Sequence, residues 1–406
     1  MTSMTQRQAI SVFLVFASAY FISTLIRAIT ATLAPTLVAE FALNARDLGL
    51  LAGGYFFGFA LTQLPLGTWL DRLGPKRVIL AFLSIAVVGA FAFSQATSFT
   101  GLLAARVLCG VGVSACLMAP LTGYRRWFAP ANLMRANSWM LMVGAMGMVA
   151  STLPVQWALG VVGWRALFMG LGVMVAIAMA LIYWQVPEWH ATQPPAVGSV
   201  VAPGYGEIWR NPYFRRMVPL GFFNYGGMVA IQTLWAAPWM VKVNGYSPAQ
   251  AAGGLFWINI CMLVAFLVWG SLNPMLTRKG YTTERLVAAG VPATLLLFAI
   301  ILIAGDAISA GAGVLFVLYC VSSSVGAQIQ PAVGMAFPSA LAGRALSAFN
   351  LVVFAGVFSV QWGIGLLIDA FGAIGWQEVP AYQGALGVYG LCCVGAYLYF
   401  LAAKKP

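Results

Sequence analysis

The chain has 406 residues, of which 62% are hydrophobic and only 7% charged, and its mean hydropathy is +0.90. Soluble domains carry roughly 45–50% apolar residues, so this composition excludes a water-solvated globule and requires lipid as solvent for much of the surface. The formal net charge of +12 comes from bases in small separate clusters between apolar stretches, which excludes the continuous basic stripe of a nucleic-acid binder and suits the loops of a membrane protein.

Apolar stretches of about 20 residues are the length that crosses the hydrocarbon of a bilayer. They occur at 11–36, 48–69, 78–98, 101–122, 136–158, 164–185, 215–240, 248–270, 287–305, 309–330, 345–370 and 382–402. Twelve such stretches predict an all-alpha polytopic membrane protein with both termini on one side. The first is expected to remain as a membrane helix, because its apolar run continues to about Val38 without a small-residue cleavage site. The longest polar interruption, "VPEWHATQPPAVGSVVAPGYGEIWR" at 186–210, separates six stretches from six. The predicted organisation is an N-terminal six-helix bundle at 1–185, a cytoplasmic linker at 186–212 and a C-terminal six-helix bundle at 213–406.

The bases set the expected orientation. With a cytoplasmic N-terminus, the inside segments hold Arg7, Arg72, Lys76, Arg77, Arg125, Arg126, Arg135, Arg210, Arg215, Arg216, Arg278, Lys279, Arg285, Arg344, Lys404 and Lys405, against Arg46, Arg165 and Lys242 outside. The positive-inside rule then places both termini in the cytoplasm and the chain in the cell membrane, which is the inner membrane in a prokaryote.

The turn after the second stretch, "GTWLDRLGPKR" at 67–77, gathers an acid and three bases. Asp71 with Arg72, Lys76 and Arg77 forms a candidate ion-pair cluster that clamps neighbouring helices in one conformation, while Gly67 and Gly74 permit close approach and a tight turn. An ordinary basic inside loop is the plainer reading of the charge alone. The corresponding stretch of the second half, "GSLNPMLTRKG" at 270–280, also starts on glycine and ends on a basic pair, an internal echo that suggests duplication.

The order of Gly67, Asp71, Arg72, Gly74, Lys76 and Arg77 closely resembles the signature after the second helix of the major facilitator superfamily. "RVLCGVG" at 106–112 and "GWRALF" at 163–168 resemble further motifs of that family, and the resemblance covers the whole chain. It implies the major facilitator fold, alternating access by two bundles about a central cavity, and a role for the Asp71–Arg72 region as a conformational latch, not a solute contact. The second-half turn departs from the pattern, with Pro274 and Met275 where the acid and base are expected. "GAMGMVASTLP" at 144–154 only loosely resembles the glycine-rich motif of drug antiporters, which lowers the standing of an exporter.

Two arginines lie within predicted membrane helices. Burying a guanidinium costs about 2.5–3.5 kcal/mol on insertion scales, so each requires a partner or a wet cavity. Arg106 either bonds to carbonyls or polar side chains of its own bundle or, by the family resemblance, contributes to proton coupling. Arg27 either snorkels or faces the cavity. Tyr20, Ser23 and Arg27 share one helical face, with Thr24 at its edge, and Tyr20 and Ser23 are candidate solute-binding residues beside Arg27. Organic-anion carriers of the superfamily often present an arginine at this depth of the first helix, and this resemblance implies Arg27 as an anion ligand.

None of the nine acids falls at the predicted midplane. Proton coupling would therefore use Glu40 or Asp47 near the outer rim, the solute's own carboxylate, or water organised by Arg106. His190 falls in the linker and is expected to be solvated. The six cysteines lie in apolar runs without metal-site spacing, so no metal and no cofactor is expected.

In the second half, Gln232 and Trp235 are candidates to meet the organic part of a solute, and Asn259 and Asn350 are further polar candidates. Each also has the plainer reading of helix-to-helix bonding. No HExxH, Ser/His pair or intramembrane acidic cluster marks an enzyme. The favoured function is secondary active transport of a small organic anion, as uptake driven by a proton gradient, by a monomer surrounded by membrane lipids and without nucleic acid. The alternatives are proton-coupled efflux of an amphipathic metabolite or drug and, less favoured, a non-transporting receptor-like homologue.

Overall fold

The computed structural model describes residues 4–128, 130–188, 205–308 and 311–403, and their regular structure is entirely helical. His190, Lys404, Lys405 and the 189–204 part of the predicted linker lie outside the described residues.

The first half comprises α1 (Gln6–Phe41), α2 (Ala45–Leu61, bent by 45° into Gln63–Leu73), α3 (Pro75–Gln95), α4 (Phe99–Val113 and Ala115–Trp127), α5 (Pro130–Ala150) and α6. A helical run over Leu153–Gln185 is broken at Gly163, whose φ of 75° and ψ of 164° are not helical. Its part before Gly163 follows α5 after a turn at 151–152, and its part after is α6. The predicted boundary between 158 and 164 is therefore a glycine turn, at a φ that other residues rarely adopt.

The second half comprises α7 (Pro212–Lys242), α8 (Pro248–Arg278), α9 (Thr283–Ala304), α10 (Ala312–Met335), α11 (Ser339–Ala373) and α12 (Glu378–Ala402), with a short helix Tyr205–Arg210 before them. Within α7, Leu220–Gly226 and Ile231–Trp235 are π-helical, and a 3-10 stretch, Ser324–Gln328, interrupts α10. Nine of these helical runs are individually long and apolar enough to cross a membrane and bent α2 adds a tenth. With α5 and interrupted α7 the described residues form twelve rods, as the apolar stretches predict.

The charged turn is mostly helix. α2 runs to Leu73, and the reversal rests on Gly74 at φ 79° before Pro75 opens α3. In the second half α8 persists through Pro274 to Arg278, and Gly280, also at φ 79°, makes the turn. The two halves thus share a left-handed glycine after their second rod but not the charge pattern before it.

Contacts group the chain into two units. The first comprises the described residues of Met1–Ile29 and Phe57–Pro203, the second those of Thr30–Phe56 and Gly204–Pro406. Lipid gives helices no hydrophobic reason to associate, so small residues and close packing do that work. In the first unit, a Cβ placed on Gly112 would lie 2.2 Å from the Ala86 nitrogen and one on Gly58 would lie 2.3 Å from the Val107 carbonyl oxygen, so α4 meets α3 and α2 backbone to backbone. The second unit has an aromatic-rich core in which Phe214, Val291, Ile329, Phe349 and Phe400 are buried together.

Candidate functional site

In the first unit the predicted solute residues lie on α1. Arg27 is half-buried, with its guanidinium carbon 5.3 Å from the centroid of the Phe59 ring of α2. Arg106 of α4 is fully buried and donates from Nη1 to the Ile26 carbonyl at 2.9 Å. Arg106 thus bonds to a carbonyl of its own unit, and the acceptor is the residue preceding Arg27.

Tyr20 and Ser23 are both buried. Ser23 Oγ lies 3.5 Å from the Val113 carbonyl of α4. A Cβ on Gly144 would meet the Tyr20 ring at 2.3 Å, and one on Gly147 would lie 2.2 Å from Thr24 Oγ1. Thr24 also donates to the Gly144 carbonyl at 2.7 Å. The glycines of "GAMG" are therefore the groove in α5 that seats α1, and they fix which way its Arg27 face turns.

In the second unit Gln232 and Asn259 come together, Gln232 Nε2 donating to Asn259 Oδ1 at 2.9 Å and Asn259 Nδ2 to the Leu255 carbonyl at 2.9 Å. Trp235 is fully buried, donates its indole N–H to the Gln361 carbonyl at 3.0 Å and meets Tyr382 edge-on. Gln361, which the sequence reasoning passed over, donates from Nε2 to Thr233 at 3.0 Å and so ties the second π-helical stretch of α7 to α11. It is a polar residue in an apolar helix, the same signal that singled out Asn350. Asn350 instead accepts from Gln330 at 2.7 Å.

The rim acids occupy different settings. Glu40 is exposed near the end of α1, and Asp47 pairs with its neighbour Arg46 at 3.4 Å. Beside them, within the second unit, a cavity of about 420 Å³ is lined by apolar residues such as Ala34, Val38 and Leu255 and by the polar groups of Lys242, Asp369 and Glu378. Lys242 and Glu378 form an ion pair at 3.0 Å.

The sequence pattern of the Major Facilitator Superfamily matches residues 16–361. The chain belongs to this superfamily. The fold agrees: the structure of a D-xylose-proton symporter, 16% identical, superposes with a TM-score of 0.76 over 98% of each chain. Among sequence relatives, the probable sulfoacetate transporter SauU of Cupriavidus necator is 24% identical over 278 residues, 64% of this chain and 63% of its own length. The 4-hydroxybenzoate transporter PcaK of Acinetobacter baylyi is 23% identical over 410 residues, 88% of this chain and 85% of its own. The match to the first of these relatives thus spans less than two thirds of its length.

In this Major Facilitator Superfamily chain the signature turn is wired differently from expectation. Asp71 and Arg72 are exposed at the end of α2, whereas Lys76 is buried, with Nζ 3.1 Å from Glu188 Oε1, and Arg77 Nε lies 3.8 Å from Glu188 Oε2. Among the described residues the acid that meets these bases is Glu188, three residues past α6, not Asp71. Asp71 lies in the last turn of α2 while Lys76 and Arg77 open α3, and Gly74 turns the two ends apart. A Cβ on Gly67 would meet nothing within 4 Å, so close approach is not what Gly67 serves here.

Proposed function

We propose that the protein is a secondary active transporter that moves a small organic anion by alternating access of two bundles, 1–185 and 213–406, joined by the linker at 186–212. The observation that carries the anion reading is the setting of Arg27, a cation on an apolar membrane rod whose orientation is fixed by α4 through Ile26 and by the glycine groove of α5. A guanidinium so held presents a planar fork that matches a carboxylate, sulfonate or phosphate. The relatives named as sulfoacetate and 4-hydroxybenzoate transporters support the same charge class.

In this reading Tyr20 and Ser23 set the Arg27 face, and Gln232, Trp235, Asn259 and Asn350 furnish the polar and aromatic side of the solute path. The Asp71–Arg72 region and the Lys76–Arg77–Glu188 cluster act at the cytoplasmic ends of the helices, which the base distribution assigns to the inside. Transport is uptake by a monomer with both termini cytoplasmic, and the driving force is a proton gradient engaging Glu40, Asp47 or water ordered at Arg106. Uptake of externally added labelled anion by proteoliposomes under an imposed pH gradient and, separately, a sodium gradient tests this directly. Accumulation only under the pH gradient is expected, and accumulation driven solely by sodium contradicts the coupling.

A further inference from the structure

Asp369 lies near the end of α11, where a negative charge opposes its own helix's dipole. Its carboxylate is taken up elsewhere: Oδ1 accepts the Ala45 N–H at 3.1 Å and Oδ2 the Arg46 N–H at 2.9 Å. These are the first two amides of α2, donors that a helix cannot satisfy internally. The α2 start already has a local cap, since Asn44 Oδ1 accepts the Asp47 N–H at 2.8 Å. The remote carboxylate is thus not needed to form the helix, and what it adds is attachment of α2 to α11.

Below this attachment the two helices run antiparallel with their backbones in contact. A Cβ on Gly365 would lie 2.3 Å from the Ala45 carbonyl, one on Gly49 would lie 2.4 Å from the Gln361 carbonyl, and one on Gly53 would meet Phe358 at 3.0 Å. Phe56 then stacks on Phe354 with centroids 6.1 Å apart. The carbonyl that Gly49 approaches is the one that accepts the Trp235 indole, so the seam is continuous with the solute-path residues of α7.

The contact units divide α1 after Ile29 and α2 after Phe56, yet α1 is unbroken there and α2 bends only at Thr62. If α1 and α2 move with the first bundle, the Ala45–Phe56 seam has to part in each cycle. We propose that Asp369 is a positioning residue for transport, a clasp that holds the α2–α11 seam shut on the side away from the termini and releases it when the cavity opens there. This rests on the two-bundle alternating-access reading. Asp369→Asn keeps the shape but removes the charge that complements the α2 N-terminus, and Asp369→Ala removes the acceptor altogether.

The test places spin labels at Arg46→Cys and Ala370→Cys, both exposed, in full-length protein lacking the native cysteines, and measures the distance distribution between them in lipid. Unmodified at 369, the protein is expected to show a dominant short-distance population. Asp369→Asn should enlarge a longer-distance population severalfold and Asp369→Ala further, and Gly49→Val, which drives a side chain into the Gln361 carbonyl, should do the same with the clasp intact. Uptake of labelled 4-hydroxybenzoate and sulfoacetate by proteoliposomes is measured in parallel. Unchanged distances in both Asp369 variants, with folded monodisperse protein, overturn the clasp even if uptake is robust, because the junction is then permanent. Shifted distances with no uptake in the unmodified protein uphold the clasp and count against the transport reading instead.

Discussion

Arg106 Nη1 stands 2.9 Å from the carbonyl oxygen of Ile26, the residue before Arg27, so the buried cation of α4 anchors α1 beside the proposed anion ligand. Hydrogen bonds from charged groups contribute about 1.5–3 kcal/mol. Arg106→Gln is therefore expected to destabilise the protein by about that amount, read as a lower Tm in detergent. It should also weaken anion binding through α1. Unchanged Tm with unchanged binding contradicts the anchoring role.

Gly147 faces Thr24 Oγ1 and the Phe21 carbonyl at distances that leave no room for a side chain. Overpacking a close-packed interface costs about 1–3 kcal/mol. Gly147→Val is expected to lower Tm and, by displacing α1, to weaken solute recognition, whereas Gly160→Val, at a position with open space, should leave both unchanged. Thermal melts with and without solute check the pair.

The Glu188 cluster is half in solvent, with Glu188 51% and Arg77 68% exposed, so its worth to stability is small. Glu188→Gln should change stability by less than about 1 kcal/mol. Its effect is expected on conformation: freed from Glu188, the Lys76–Arg77 end of α3 should change the balance between open forms. Asp71→Asn should slow their interconversion while leaving solute affinity intact. Distance distributions between labels on the two proposed bundles, together with uptake rates, check both variants, and unchanged populations and rates in both contradict a latch.

The twelve rods were legible because a bilayer imposes a length on every apolar run, and the turn at Gly74 because few residues tolerate its φ. The buried state of Trp235 was not legible. Its acceptor, the Gln361 carbonyl, lies 126 residues away on another helix, and no spacing rule within one helix reports such a bond. The same holds for Asp369, which lies at the end of the apolar stretch 345–370 while its partners are the amides of residues 45 and 46. Glu188 falls in the predicted linker at 186–212, and the bases it meets lie more than 100 residues earlier. Composition and periodicity carry the elements of such a fold, while polar groups between distant helices are paired only in three dimensions.

The central claim is that Arg27 binds the charge of an organic anion. The most direct measurement is ligand-induced thermal stabilisation of purified protein across mono- and dicarboxylates, sulfonates, sugar acids, phosphate esters, amino acids and cationic drugs, repeated with Arg27→Lys and Arg27→Ala. The account predicts that anions raise the Tm of the unaltered protein. It predicts a weaker response in Arg27→Lys, whose ammonium is a more strongly hydrated point charge, and little or none in Arg27→Ala. Stabilisation by cations alone, or equal stabilisation of the alanine variant by an anion, would contradict it.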